Sequence, residues 1–208
     1  ILMSEKYRAP ANMNYWTLLL TTDNISIMPY LKHNCVKFVD GISRSLHYSI
    51  VNRFLYTNSK RNYVTRSDPN CKFCLSSVVT IREDISHCIT NCPRINQFWI
   101  HFSNLVDRIS GQNTGNVQKI FGFCLSAFPN MENILNILLF LAQKVIWKTR
   151  LKYEFKSKLL DVWVTFVDDL HIFVTKCFHT MPFAKFLEIF VNTGLVRIVN
   201  AKPVLSMN

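Results

Sequence analysis

Along the chain, apolar residues recur mostly at three- and four-residue intervals, the period of an amphipathic helix. From Arg44 to Tyr56, Leu46, Ile50, Val51, Phe54 and Leu55 fall on one face, which predicts a helix with Ser43 as its cap. Thr57 to Asn70 is polar and basic and ends on Ser67, Asp68 and Pro69, the chemistry of a loop. Pro93 stands where a first helical residue would, and Phe98, Phe102, Leu105 or Val106, and Ile109 continue an apolar face that stops at Gly111. Val117 to Phe128 predicts a short helix, and Asn130 starts a long one through Ile134, Leu135, Leu138, Leu141, Val145, Ile146 and Trp147. A further helix is expected over about Phe155 to Phe178, and a last one over Phe183 to Asn192, closed by Gly194. The first thirty residues lack periodicity, apart from a short helix expected near Tyr15 to Leu20. No internal repeat is visible. The pattern specifies an all-α (mainly helical) chain in three stretches: an irregular lead-in over 1–43, a central stretch over 44–110, and a helical region over 111–208.

Composition narrows this picture. The 208 residues are 49% apolar, with 16 Phe, 4 Trp and only 5 Gly, which suits a packed core and excludes a low-complexity chain. The longest apolar run, Ile134 to Ala142, is interrupted by Asn136 and falls short of the roughly 18 residues a membrane span needs. A buried helix, and no membrane partner, is the expectation. The chain opens at Ile1 with no basic, apolar and cleavage-site succession, so no signal for secretion is read, and it is expected to belong to something longer. Its 7 cysteines are odd in number and clustered, which fits a reducing compartment, nuclear or cytoplasmic.

Four of those cysteines lie in CKFCLSSVVTIREDISHCITNCPRINQFW, residues 71–99. Cys71, Cys74, His87 and Cys92 give C-x2-C-x12-H-x4-C. Two sulfurs three residues apart can grip one ion from a tight turn, and a His and a Cys five apart can complete a tetrahedron. Three thiolates and an imidazole suit zinc, and four protein ligands leave no open position, so a structural Zn(2+) is expected within this loop. Cys92, before a helix start, gains from the amide groups there. Cys88 is the rival fourth ligand; as the neighbour of His87 it is poorly placed to point at the same centre. A base-reading ββα finger is disfavoured, because its core positions hold Val78 and Asp84 and the helix follows the fourth ligand.

The run Cys71, Cys74, Glu83, His87, Cys92, Pro93 and Phe98-Trp99 resembles the zinc-binding segment near the C-terminus of reverse transcriptases of non-LTR (LINE-type) retrotransposons. Upstream, LHYSIVNRFLYTNSKRNYV resembles the family's helix and basic loop before the CxxC. Downstream, NILLFLAQKVIWKTR resembles its long helix ending in Ile-Trp-x-x-Arg. The likeness spans about residues 40 to 155. It implies a non-catalytic accessory region beyond the polymerase palm that helps hold template RNA or target DNA in target-primed reverse transcription. The neighbour would be the upstream polymerase region of the same polyprotein, where the RNA-directed DNA polymerase activity would reside.

FVDDLHIF, Phe166 to Phe173, invites comparison with the paired carboxylates of a polymerase palm. The apolar residues from Leu159 to Cys177 keep helical spacing instead, and place Asp168 and Asp169 on a solvent-facing side. No catalytic set is read from the chain. The formal net charge is +11. Lys60, Arg61, Arg66 and Lys72 approach the metal loop, and Lys144, Lys148 and Lys152 form a row at four-residue spacing, offset locally by Glu154 alone. These are the candidate contacts to RNA or single-stranded DNA, with Tyr56, Tyr63 and Phe73 as candidate base-stacking rings. The competing expectation is a zinc-braced helical protein-interaction module whose charge serves solubility.

Overall fold

The structure is a computed structural model that describes residues 39–74, 80–125, 127–156 and 161–206, together with Trp16. The helical expectation holds: seven α-helices and one short hairpin account for the regular structure of the described residues, with 3₁₀ and π turns between them. The expected helix at 15–20 lies outside these residues except for Trp16, whose indole Nε1–H donates to the Val51 carbonyl at 2.8 Å.

The helix α1 spans Gly41–Val51. It starts earlier than its apolar face suggested, because Asp40, and not Ser43, is the cap: its carboxylate accepts from the Ser43 amide and hydroxyl, both at 2.9 Å. It also ends earlier than Tyr56, since Arg53 takes a left-handed conformation (φ 58°) and turns the chain aside. A second helix, α2 (Asn58–Thr65), occupies the stretch read as a loop. Its own sequence offers little apolar face and no side-chain cap at Thr57. Glu83 caps it from 25 residues away, accepting the Asn58 amide at 2.9 Å, while the Glu83 carbonyl accepts the Ser59 amide at 3.0 Å. A carboxylate at the positive end of a helix is the local reason this polar segment winds.

Beyond the metal loop, α3 (Asn96–Ser110) ends where Gly111 adopts φ 65°, as the pattern required. The helix α4 covers only Asn116–Phe121, shorter than expected. Gly122 (φ 98°) breaks it, and the Asn136 side chain then takes over both polar groups of Phe123, accepting its amide at 2.7 Å and donating to its carbonyl at 3.0 Å. The polar residue that interrupts the apolar run is thus a buried backbone surrogate.

The 28-residue helix α5 (Pro129–Lys156) is the axis of the molecule, about 42 Å long. From Ile134 to Gln143 every residue is buried, so it is covered on all sides. The helix α6 (Val162–Thr180), capped by Asp161 and not begun at Phe155, buries Phe166, Leu170, Val174 and Cys177 as one stripe against α5. The short helix α7 (Phe183–Phe186) runs into a π turn, Leu187–Val191, before Gly194 (φ 76°). A hairpin, β1 (Val196–Val199) with β2 (Lys202–Leu205), follows. Its turn places Asn200 and Ala201 at φ 49° and 57°; Asn tolerates this conformation, but with Ala in place of the usual Gly the turn carried only half of its sequence signal. One hydrophobic core takes side chains from both 44–110 and 111–208.

The contact between α1 and α5 is unusual in being polar. His47 is buried, stacked on Phe140 with centroids 4.1 Å apart, and its Nδ1 lies 2.9 Å from Gln143 Oε1. The Gln143 amide nitrogen donates to the carbonyls of Lys119 and Ile120, so its oxygen must accept and His47 Nδ1 carries the proton. Burial lowers the His47 pKa from 6.5 to about 4, against a smaller upward pull from Gln143. The unfolded state therefore binds the proton first as pH falls. Stability is complete above about pH 6.5 and declines toward pH 4, by about 3 kcal/mol in all. A His47→Gln variant, which keeps an amide partner for Gln143 and does not titrate, should lose this share of the acid dependence. Urea unfolding of both proteins across that window measures the difference in slope.

Candidate metal centre and basic surface

The metal loop is built as two arms closed on each other. Asp68 accepts the Asn70 amide at 2.9 Å, and Asn70 then bridges Arg82 in antiparallel fashion. The Cys71 amide donates to the Ile81 carbonyl at 2.9 Å and the Glu83 amide to the Pro69 carbonyl at 2.9 Å. Between the arms, Lys72–Cys74 forms a 3₁₀ turn that brings Cys74 back beside Cys71. Asp84 then opens a helical turn by accepting the His87 amide at 2.8 Å, and the chain runs through a π turn at His87–Asn91. Cys92 leaves that turn in an extended conformation, and Pro93 starts the 3₁₀ turn Pro93–Ile95 leading into α3.

The result is one buried group. The ligand atoms of Cys71, Cys74, His87 and Cys92 all lie within 4.8 Å of one another. Cys74 Sγ is 3.6 Å from Cys92 Sγ and 3.5 Å from His87 Nε2. A tetrahedral centre with metal–sulfur bonds of about 2.3 Å and metal–nitrogen bonds of about 2.0 Å has sulfur–sulfur and sulfur–nitrogen edges of about 3.8 and 3.5 Å. The donor set therefore fits a metal ion, and the sulfurs are too far apart for a disulfide. The described cysteines are all free thiols. Cys71 is drawn down to about 3, first by the hydrogen bond from Cys92 and then by His87, against burial. Cys92 is pushed up by giving that hydrogen bond, and Cys74 is raised by burial and then by the Cys71 charge. Without a cation, the cluster favours one thiolate over three; a bound cation is what would allow the others to ionise. Cys88, the rival ligand, stays outside the group in the apolar core, where burial raises its thiol.

The cluster rests on a contact the sequence reading missed. Arg150 is buried and forms a two-pronged ion pair with Glu83: its Nε donates to Oε2 at 3.0 Å and its second nitrogen to Oε1. The same nitrogen donates to Asn58 Oδ1 at 3.2 Å, and the guanidinium lies over the Trp147 ring at 4.9 Å. Burial pushes the Glu83 carboxyl up, and Arg150 and the Asn58 amide oppose that rise. Arg150 lies among the lysines of α5, and nothing in its immediate neighbours sets it apart from them. The signal was its place on the buried stripe of α5, one turn beyond Ile146.

The basic candidates separate. Lys60, Arg66 and Lys72 are exposed, and Arg61 is half-buried with its guanidinium 5.7 Å from the Tyr56 ring. Lys144, Lys148 and Lys152 line one groove between α1 and α5. Two of them are offset within the fold by acids remote in sequence: Lys144 pairs with Asp40 at 3.3 Å and Lys148 with Asp169 at 3.3 Å. Asp169 is accordingly not a solvent-facing residue as expected, whereas Asp168 is exposed. Tyr56 and Tyr63 are exposed, but Phe73 is buried, packed edge-on to Tyr153 at 4.8 Å, and is removed from the stacking candidates. Among the described residues no helix is long and apolar enough to cross a membrane. No protein-family model, curated protein or solved structure matches the chain.

Metal analysis of the purified chain is expected to find one ion per molecule, retained in Cys88→Ala and lost in Cys92→Ser. Truncating Arg150 to Met should strand a buried carboxylate and cost about 3–5 kcal/mol, far more than Lys152→Met on the same helix. Chemical denaturation of the two variants checks the contrast.

Proposed function

We propose that this chain is a zinc-stabilised, non-catalytic nucleic-acid-binding region. Within that class, we assign it to the C-terminal part of a LINE-type, non-LTR retrotransposon reverse transcriptase. It would hold template RNA or target DNA during target-primed reverse transcription, in a reducing nuclear or cytoplasmic setting, beside the polymerase region of the same polyprotein. The observation that carries this reading is the convergence of Cys71, Cys74, His87 and Cys92 into one buried group, with Lys60 and Arg61 on α2, Arg66 at its end and Lys72 in the turn between the arms. Zinc is the ion of choice for three thiolates and an imidazole, and four protein ligands make its role structural. The ion would fix the arms; the cations on α2 and on the turn between the arms would meet phosphate.

A second reading has one observation of its own. The α1–α5 groove, about 750 Å³, is floored by Leu46, Leu55, Trp147 and Leu151, which suits a protein partner. Salt dependence separates the two. With about five phosphate contacts among Lys60, Arg61, Arg66, Lys72, Lys144, Lys148 and Lys152, the log–log slope of affinity against salt on a single strand should be near −3.5. Lys152→Gln should lower it by about 0.7, and Lys148→Gln by less, since Asp169 already offsets that charge. Affinity should fall when a chelator removes zinc, although no metal ligand touches the strand. Absence of RNA and single-stranded DNA binding below about 100 µM at low salt would favour the protein-interaction reading.

A further inference from the structure

We propose that the cleft between α2 and the returning arm of the metal loop is a stacking site for an unpaired nucleobase, so that the chain prefers single strands to duplex. The inference rests on the nucleic-acid reading above and adds to it a place, a ligand and a selectivity.

The cleft holds about 530 Å³, within the roughly 300–1,000 Å³ of small-ligand sites, and is lined by Phe54, Lys60, Tyr63, Arg82 and Asp84 among others. Phe54 and Tyr63 are 57% and 75% exposed. Both rings line the same cleft, and each already has a cation over it. Lys60 Nζ is 5.7 Å from the Phe54 centroid, and the Arg82 guanidinium is 5.6 Å from that of Tyr63. Both cations are also held in place by hydrogen bonds. Lys60 donates to the Arg53 carbonyl at 3.2 Å, and Arg82 donates to the Tyr63 hydroxyl at 3.0 Å and to Ser59 Oγ. Rings and cations therefore alternate across one cleft in fixed positions, the combination that holds a base by its face and its phosphate by charge.

The walls are rigid for a reason already described. The N-terminus of α2 is tied to Glu83, and Glu83 to Arg150, so the wall bearing Lys60 and Tyr63 cannot move away from the arm bearing Arg82. Arg53, at the rim, is held at φ 58°, a conformation that persists only where its surroundings impose it. Asp84, whose carboxylate accepts the His87 amide, also lines the cleft, two residues from Arg82. Paired bases in a duplex present no free face to such rings, whereas a single strand does.

The test uses the full zinc-loaded chain with a labelled single-stranded oligo(dT) and a duplex of equal length. Phe54→Ala should weaken single-strand binding roughly 5- to 100-fold and leave duplex binding and the salt slope unchanged, because a ring is lost and no phosphate contact is; Tyr63→Ala should weaken single-strand binding at least as much, since it also releases Arg82. Phe54→Trp, which keeps a ring, should bind like the parent, and Tyr63→Phe, which keeps the ring but loses the hydroxyl that holds Arg82, should bind more tightly than Tyr63→Ala. Lys60→Gln should instead weaken both probes and flatten the slope by about 0.7. Unchanged zinc content in the exposed-ring variants verifies the fold. Single-strand affinity within twofold of the parent in both alanine variants, with Lys60→Gln still impaired, overturns the stacking site and leaves the nucleic-acid reading standing. A parent that binds neither probe overturns both, and a parent that prefers a poly-glutamate peptide over oligo(dT) marks the cleft as an acidic-peptide site.

Discussion

The buried ion pair between Glu83 and Arg150 is the contact on which most of the arrangement depends. Moving two charges out of water costs several kcal/mol each, and the fold recovers this only through near-complete hydrogen bonding. Arg150 gives two bonds to the carboxylate and one to Asn58, and stacks on Trp147. Glu83 in turn caps α2 and pairs its backbone with Pro69. One carboxylate thus joins the central helix, a polar helix that would not form by itself, and the return arm of the metal loop. The pair is directional where apolar burial is not, so it also fixes the height of the loop along α5.

An ion held by the Cys71, Cys74, His87 and Cys92 cluster would add a second closure to the same unit. Its four ligand atoms are brought together by backbone pairing of the arms and by the Asp84 cap, and the spacing of the group already approaches that of a tetrahedral centre. The cations around it sit on segments fixed at both ends, one by the ion pair and one by the cluster. Loss of either closure would free α2 from the arm it faces. Through this coupling an ion bound by the cluster would govern a surface it does not itself touch, a common relation where a metal contributes folding free energy.

Charge on the rest of the molecule is less available than a count of lysines implies. Asp40 caps α1 and also pairs with Lys144; Asp169, far along α6, pairs with Lys148. A carboxylate a hundred residues away in the chain can neutralise a helix face as well as a neighbour does, and no window of sequence reveals it. The face near α2 keeps exposed rings beside cations, and it is on this face that the proposed single-strand site rests.

The sequence alone determined the elements whose cause is local. Periodicity gave α3, with its stop at Gly111, and the stripe of α6; the run from Ile134 gave a helix buried on every side; and the cysteine spacing gave the four members of the metal group. These follow from helical period, left-handed glycine and ligand geometry, each readable within a few residues. Only the tertiary structure decided the rest, because its causes are contacts between distant segments. It placed a helix at Asn58–Thr65, where Glu83 supplies the missing cap, and ended α4 where Asn136 replaces its hydrogen bonds. It turned Arg150 inward, took Phe73 into the core, and gave Asp169 a cationic partner. A polar side chain can serve a solvent face or a buried network with the same local sequence, and which it does depends on a partner that folding alone brings within reach.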